Sequence, residues 1–549
     1  MRPQLRLKDL NETHLPISDA AQLLGVSTAS IRNWIKTGYL NQTGVGFISR
    51  ESFECFQNEV AGQEKLTQRA NKSLKDSHDH RELQTRFQEM IKASDLDTEQ
   101  VGGQYETSLS NAYRNKEGIY YTRPDIAESF FQYLSGSHAE DRSDLTFCDP
   151  CCGSGNFLLA AIEQGFAPAQ LYGFDTDPVA IAMTRKRIFE KTGYDSPNIQ
   201  CADFLEQSLQ PAQPGFDVIF TNPPWGKKIS KAEKQKYAMH FGAGKCSDTS
   251  ALFFFACLAR LNQSGHLGFL LPDAFFNVAS FEDARKAALT REIKAFMDFG
   301  KPFKGLLTKA RGIVLQNQEP SENTSITCEA LEQRRSRTQD SFRQNPKSIF
   351  NFTCSQEAAA VIEHLYMREH LALADRAKYG LGIVTGNNRK FCRASSQAGY
   401  MPVYKGSDIH EETLKEPSTF IPDDLSLYQQ VAPVELFQAK EKLIYRFISS
   451  DLVFYHDTEQ TFFLNSVNML VLHENFPISA KQLSQILNSN VMNWLFQTLF
   501  GTHKVLRSDI ETLPIHVSYF DQRAEFDESS YLDHLGLEQT ADGSYKVKV

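Results

Sequence analysis

Between residues 145 and 271 apolar residues come in short bursts: Leu145 to Cys148, Leu171 to Phe174, Ile199 to Cys201, Val218 to Phe220 and Leu267 to Leu271, separated by stretches with helical spacing. Strands that alternate with helices need crossover connections, so the pattern predicts an α/β domain with a mostly parallel sheet. Upstream, "LPISDAAQLLGVSTASIRNWIKTGYL" (15–40) reads as two short helices around a turn at Gly25, with Ser27 or Thr28 capping the second. That is helix-turn-helix spacing; a helical hairpin that packs on another domain is the plainer reading. From about Gln63 to Asp97 the chain is polar, rich in helix formers and poor in aliphatics, as in a helical linker. "EQRRSRTQDSFRQNPKS" (332–348) is polar and basic and reads as a loop or boundary. Beyond about Leu373 the pattern becomes irregular and mixed, and after Phe520 it becomes an acidic tail. The expected segments are therefore 1–60, 61–115, 116–320, 321–372, 373–520 and 521–549.

Composition narrows the class. No apolar run approaches the ~20 residues that span a bilayer, and "MRPQLRLKDLNETHLP" lacks the apolar centre of a secretory signal, so a cytoplasmic protein without a membrane partner is expected. The ten cysteines then read as reduced thiols. Cys148, Cys151 and Cys152 have metal-like spacing, but no second Cys/His pair supports them, and no metal is expected. A net charge of -9 argues against a protein that coats nucleic acid. Local basic runs, "GKKISKAEKQK" (226–236) and "KPFKGLLTKARG" (301–312), still allow a basic groove on an acidic body.

The chemistry gathers at strand ends. "LTFCDPCCGSGNFLLAA" (145–161) sets Asp149 and a glycine loop, Gly153 and Gly155, between a strand and a helix, where doubly wound sheets bind ligands. "LYGFDTDP" (171–178) puts Asp175 and Asp177 at the next strand end, where a carboxylate can accept both ribose hydroxyls; Asp177 also suits a helix N-cap. In "CADFL" (201–205), Asp203 can accept from an adenine amino group with Phe204 against the ring. "TNPPWG" (221–226) ends the fourth strand. Proline fixes φ and lacks an N–H, so Pro223 and Pro224 stiffen a turn that aims the Asn222 amide oxygen and the Pro223 carbonyl at one point, beside the flat face of Trp225. Two acceptors there suit a planar exocyclic amino group, whose lone pair they free by drawing nitrogen toward a tetrahedral form.

These stretches, with "GIYYTRP" (118–124) and "GHLGFLLPDAFF" (265–276), occur in the order found in amino-methylating DNA adenine-N6 methyltransferases, and the chain resembles that family. The resemblance implies a Rossmann-like methyltransferase domain and S-adenosylmethionine as cofactor. It implies that Tyr121 and Thr122 close over the methionine part, with Asp149, Gly153 and Gly155 beneath it. It implies further that Asp175 holds the ribose, Asp203 and Phe204 the adenine, and Asn222, Pro223, Pro224 and Trp225 the reacting base. Family members often carry Tyr or Phe where this chain has Trp225. Phe303 is the candidate for a second aromatic facing the base, with Phe299 close by.

The same turn resembles those of ribosomal RNA guanine-N2 and release-factor glutamine methyltransferases. The flanking segments favour DNA. Residues from about 375 to 515 resemble the TaqI-like C-terminal specificity domain, with "GIVTGNNRKFC", "MPVYKGSDI" and "QILNSNVMNWLFQTLFGTHKVLRSDIETLPI"; Asn387, Asn388, Arg389, Lys390 and Lys405 are its expected DNA contacts. Lys227 and Lys228, just after Trp225, are expected at the DNA backbone. Leu15 to Leu40, with the later "GFISRESFECF" (46–56), resembles MerR- and excisionase-type winged helix-turn-helix domains, which implies that Ser27, Thr28, Ser30, Arg32 and Asn33 face the major groove. The partner is then double-stranded DNA, together with a separately encoded restriction endonuclease, since no nuclease motif stands out. An RNA or protein methyltransferase, or a DNA-binding regulator without catalysis, is the alternative.

Overall fold

The computed structural model describes residues 14–24, 26–36, 39–44, 46–59, 83–91, 104–105, 107–109, 120–135, 141–210, 214–303, 306, 308–330 and 333–548. The expected turn at Gly25 and the first two residues of "GIYYTRP" lie outside these, as does most of the segment from 61 to 115. The chain divides into two compact units. One holds residues 1–242, 247–271 and 301–307; the other holds 243–246, 272–300 and 308–549.

The N-terminal module of the first unit has β1 (His14–Pro16), helices Ile17–Leu23 and Thr28–Lys36, then β2 (Gln42–Gly44), β3 (Phe47–Ser49) and helix Arg50–Glu59. Its sheet runs β1-β3-β2, and its core is built on Leu15, Ala20, Ile31, Trp34, Ile48, Phe53 and Phe56. Ser27 fills the capping role, its Oγ accepting the Ser30 N–H at 3.2 Å. Arg32 is exposed.

The rest of this unit is built on β4 (Phe147–Asp149), β5 (Leu171–Asp175), β6 (Ile199–Cys201), β7 (Phe216–Thr221) and β8 (Leu261–Pro272), in the order β8-β7-β4-β5-β6. The pairings β4–β5, β5–β6, β4–β7 and β7–β8 are all parallel. All five expected strands are present. β7 is buried at nearly every position, as a central parallel strand covered on both faces must be. The strand order reverses at β4, so the connections leaving β4 and β7 diverge and leave a crevice at their carboxyl ends. Helix Thr249–Ala259 is apolar on nearly all sides and correspondingly buried.

The described parts of the expected linker are docked rather than free. Phe87 and Ile91, on the helix at 83–91, join Tyr105, Leu109, Val179 and Met183 in one apolar cluster. A few well-spaced aromatics suffice to anchor a segment whose overall composition is polar.

In the second unit β9 (Glu292–Asp298), β10 (Ala310–Gln316), β11 (Ser325–Ala330) and β12 (Gln333–Thr338) are ordered β12-β11-β9-β10. The basic stretch expected as a loop is therefore in part an edge strand, where charged side chains guard against stray pairing. Its Arg337 is 1% exposed, lies 3.9 Å over the Phe342 ring and donates to Asn351. A second sheet of β13 (Ala377–Leu381), β16 (Lys442–Arg446), β17 (Phe454–Asp457) and β18 (Val467–Leu472) runs β13-β18-β16-β17, with β14 (Tyr400–Pro402) and β15 (Phe420–Pro422) pairing separately. The segment expected as an acidic tail is folded. Helix Glu528–Leu535 and the hairpin β19 (Leu537–Gln539) and β20 (Tyr545–Val547) place Tyr531, Leu535, Leu537 and Tyr545 in the same core as Leu483, Leu495 and Phe496. Acidic surface positions hid these apolar anchors. Among the described residues no helix is long and apolar enough to cross a membrane.

Candidate active site

The ends of β4, β5, β6 and β7 surround a cavity of about 1100 Å³ including its open mouth. Tyr121, Gly153, Asp175, Asp203, Phe204, Asn222 and Pro224 line it. Thr122 and Asp149 border a small adjoining space that also reaches Tyr121 and Asn222. Segments more than a hundred residues apart thus converge at one crevice.

The glycine loop is shaped by contacts that leave no room for a side chain. At Gly153, φ is +50° and a Cβ would stand 2.9 Å from the Tyr121 ring; at Gly155, φ is +85° and a Cβ would stand 2.8 Å from Thr184 Cγ2. Thr184 Oγ1 donates to the Gly153 carbonyl at 2.9 Å, and Asn156 Nδ2 donates to the Thr122 carbonyl at 2.6 Å. Tyr121 and Thr122 are thereby tied to the loop. Sequence gave no sign of Thr184 or Asn156 in this role, because their partners lie about thirty residues away.

Asp149 is 1% exposed and accepts from Thr221 Oγ1 at 2.7 Å and from the Cys151 N–H at 3.1 Å. Burial pushes its carboxyl up to about 7, against the pull of those two donors. Asp175 accepts the Gly153 N–H at 3.0 Å and the Asp177 N–H at 2.8 Å. Burial raises its carboxyl to about 6; the Asp177 charge adds to the rise, and the two N–H groups and Lys227 oppose it. Asp177 caps helix Pro178–Thr192, its carboxylate accepting the Val179 N–H at 2.9 Å. Asp203 likewise caps helix Phe204–Ser208, with Oδ1 accepting from Leu205 at 2.8 Å. Phe204 is buried between the rings of Phe174 and Phe253, at centroid distances of 5.4 and 6.3 Å.

At the end of β7, Asn222 Nδ2 donates to the Tyr120 carbonyl at 2.9 Å. An amide has one donor end and one acceptor end, so this bond fixes Oδ1 as the group left for a ligand. Tyr120, one residue before the expected Tyr121, was not legible as a partner. Trp225 is half-buried and its Nε1 donates to the Leu270 carbonyl at 3.3 Å. Phe303 packs edge-on against Trp225 at 5.5 Å, meets Tyr120 at 5.4 Å with the rings tilted by 46°, and is 6% exposed. Lys227, expected at the DNA backbone, lines the cavity, and its carbonyl accepts from Thr249 Oγ1 at 2.7 Å. Gly226, just before it, has φ +63°, and the Lys227 charge opposes the rise at Asp175. Lys228 is exposed.

Of the remaining expected contacts, Arg32 and Asn33 are on helix Thr28–Lys36. Asn387 caps helix Asn388–Phe391, Asn388 Oδ1 accepts from Thr385 Oγ1 at 2.5 Å, and Arg389 is exposed. The Lys405 N–H donates to Asp408 at 2.8 Å.

Residues 96–328 match the N-6 DNA Methylase family, and residues 401–515 match the TaqI-like C-terminal specificity domain. The type II methyltransferase M.VspI of Vibrio sp. (strain 343) is 52% identical over 395 residues, 72% of this chain and 96% of that protein. The chain belongs to the N-6 DNA methylase family. The type II methyltransferase M.XamI of Xanthomonas campestris pv. amaranthicola is 30% identical over 213 residues, covering 38% of this chain and 36% of that protein. Among solved structures, a nuclease-deletion mutant of the Type ISP restriction-modification enzyme LlaGI in complex with a DNA substrate mimic has a TM-score of 0.50 at 10% identity, covering 95% of this chain and 68% of that one. At that identity the likeness concerns the fold alone. As an N-6 DNA methylase the protein is an adenine DNA methyltransferase that takes its methyl group from S-adenosylmethionine. The cavity suits that cofactor: carboxylates at Asp175, Asp177 and Asp203 match hydroxyl, amino and cationic groups, while Tyr121 and Phe253 offer aromatic surface.

Proposed function

We propose that the enzyme methylates the N6 amino group of an adenine extruded from duplex DNA, as the modification half of a type II restriction-modification pair whose nuclease is a separate protein. The observation that carries this reading is the Asn222 amide, whose donor end is held by the Tyr120 carbonyl so that its oxygen is left as an acceptor beside the cavity. When bound, S-adenosylmethionine supplies an electrophilic methyl group. Asn222 Oδ1 and the Pro223 carbonyl accept the two amino hydrogens and draw nitrogen toward a tetrahedral form, freeing its lone pair. Positioning and fixed dipoles supply the acceleration without a deprotonated side chain. Tyr121, Thr122, Asp149, Gly153 and Gly155 hold the methionine end, Asp175 the ribose, and Asp203 with Phe204 the adenine ring.

Extrusion costs a few kcal/mol, roughly, which stacking on Trp225 partly offsets. Because Phe303 lies edge-on against Trp225, a base entering between them must part the pair. The N-terminal module acts as a winged helix-turn-helix with Arg32 and Asn33 toward DNA. Lys228, Asn388, Arg389 and Lys405 serve as further DNA contacts, and the likeness to the type II methyltransferase M.VspI supports the type II assignment.

The test is transfer of labelled methyl to unmethylated genomic duplex DNA, with digestion to nucleosides. Wild type should yield N6-methyldeoxyadenosine, and Asn222→Ala should lose roughly 10²–10³-fold in rate, the scale of one preorganised polar contact, while still binding cofactor. Label in RNA or protein but not DNA would overturn the reading. Deleting residues 1–60 and measuring DNA binding and methylation tests the N-terminal module; unchanged behaviour in both assays would dismiss its DNA role.

A further inference from the structure

The wall of the cofactor cavity includes a residue from outside the family-matched stretch, Gln84, on the helix at 83–91. Its Nε2 donates to Asp177 Oδ1 at 3.1 Å, and Tyr105 OH donates to Asp177 Oδ2 at 2.7 Å. Both oxygens of one carboxylate are thus held by a segment whose composition suggested a linker. The docking is specific. Tyr105 is 0% exposed with its ring 5.0 Å from Phe87, and Lys186 Nζ donates to the Ile91 carbonyl at the end of the same helix.

Asp177 in turn shapes the ribose-binding turn, since its own N–H donates to Asp175 Oδ1 at 2.8 Å while its side chain caps the following helix. Asp175 is held on its other oxygen by the glycine loop. A carboxylate gripped on both sides by N–H groups keeps a fixed orientation only while the residue supplying one of them is itself fixed.

We propose that Gln84 and Tyr105 are positioning residues for S-adenosylmethionine, acting through Asp177 to hold Asp175 in its cofactor-binding orientation, and that the helix at 83–91 is an integral wall of the cofactor site. They touch no reacting atom. Their loss weakens cofactor affinity without slowing methyl transfer at saturating cofactor. The inference rests on the cofactor assignment and not on the nucleic-acid substrate.

The experiment uses the full chain and binding of S-adenosylhomocysteine by calorimetry, so that its outcome is independent of the DNA reading. Tyr105→Phe keeps the ring against Phe87 and removes only the hydroxyl; Gln84→Ala removes a half-buried amide. Each should raise Kd about 3- to 10-fold, the range for a lost hydrogen bond to a charged group felt through one intermediary. KM for S-adenosylmethionine should rise in parallel, with kcat within about two-fold. Asp177→Ser retains a helix cap while withdrawing the carboxylate from both partners, so adding Tyr105→Phe to it should change Kd less than about two-fold. Unchanged Kd in both single variants, or an equal effect of Tyr105→Phe with and without Asp177→Ser, would overturn the proposal. A merely structural role would lower the melting temperature and leave Kd, measured well below it, unmoved.

Discussion

Thr221→Val isolates the buried hydrogen bond just before the Asn222–Trp225 turn. Thr221 is 0% exposed, and valine matches its shape while removing the hydroxyl that reaches Asp149 at 2.7 Å. The Asp149 carboxyl is raised by burial from 3.8 to about 7 in the folded chain, so folded protein holds this proton across that interval while unfolded chain releases it. The stability tied to this proton is complete below the unfolded value and is lost as pH rises through about 7. Removing a donor that favours the ionised form pushes the folded value further up and extends the loss to higher pH. A hydrogen bond to a charged group contributes about 1.5–3 kcal/mol, and one to its neutral form about 1 kcal/mol or less. Urea unfolding of the full chain without cofactor should therefore show a small destabilisation by Thr221→Val at pH 5 and a larger one, about 1.5–3 kcal/mol, at pH 8. Equal destabilisation at both pH values would refute the argument that Thr221 serves an ionising Asp149.

Three further outcomes follow from the same contacts. Gly155→Ala meets both a left-handed φ of +85° and Thr184 at 2.8 Å; thermal melts and calorimetry should show a loss of about 1–3 kcal/mol and of cofactor binding. Arg285 is 0% exposed and donates to the carbonyls of Phe275, Val278, Lys347 and Ser348; Arg285→Met removes this buried donor from all four, and urea unfolding should show a loss of about 3–5 kcal/mol. Because the Asp175 carboxyl sits at about 6, the cationic cofactor should bind more tightly as pH rises from 5 to 7, with proton release measurable by calorimetry in buffers of different ionisation enthalpy. Asp175→Asn should flatten that dependence.

Strands β4 to β8 and the order of the chemical motifs were legible in the sequence, because each strand end couples a short apolar run to residues whose types already imply their chemistry. Asn222, Pro223 and Pro224 announce a stiff pair of acceptors, and Asp175 follows the glycine loop at the distance a crossover unit requires. The partners that hold these groups were not legible. Thr221 meets Asp149 across 72 positions, Tyr120 meets Asn222 across 102, and Gln84 meets Asp177 across 93. Local periodicity carries no information about such pairings. Composition also misled at the described parts of the segment from 61 to 115, at the basic strand β12 and at the acidic C-terminus, where a few buried side chains such as Phe87, Arg337 and Tyr531 outweigh a polar average. The sequence by itself determined the chemistry available at each strand end, since that depends on residue type and local backbone. Only the tertiary structure decided which polar atoms are already engaged, as with the Asn222 amide, and which remain to meet a ligand, because that depends on chain segments brought together by burial of their apolar neighbours.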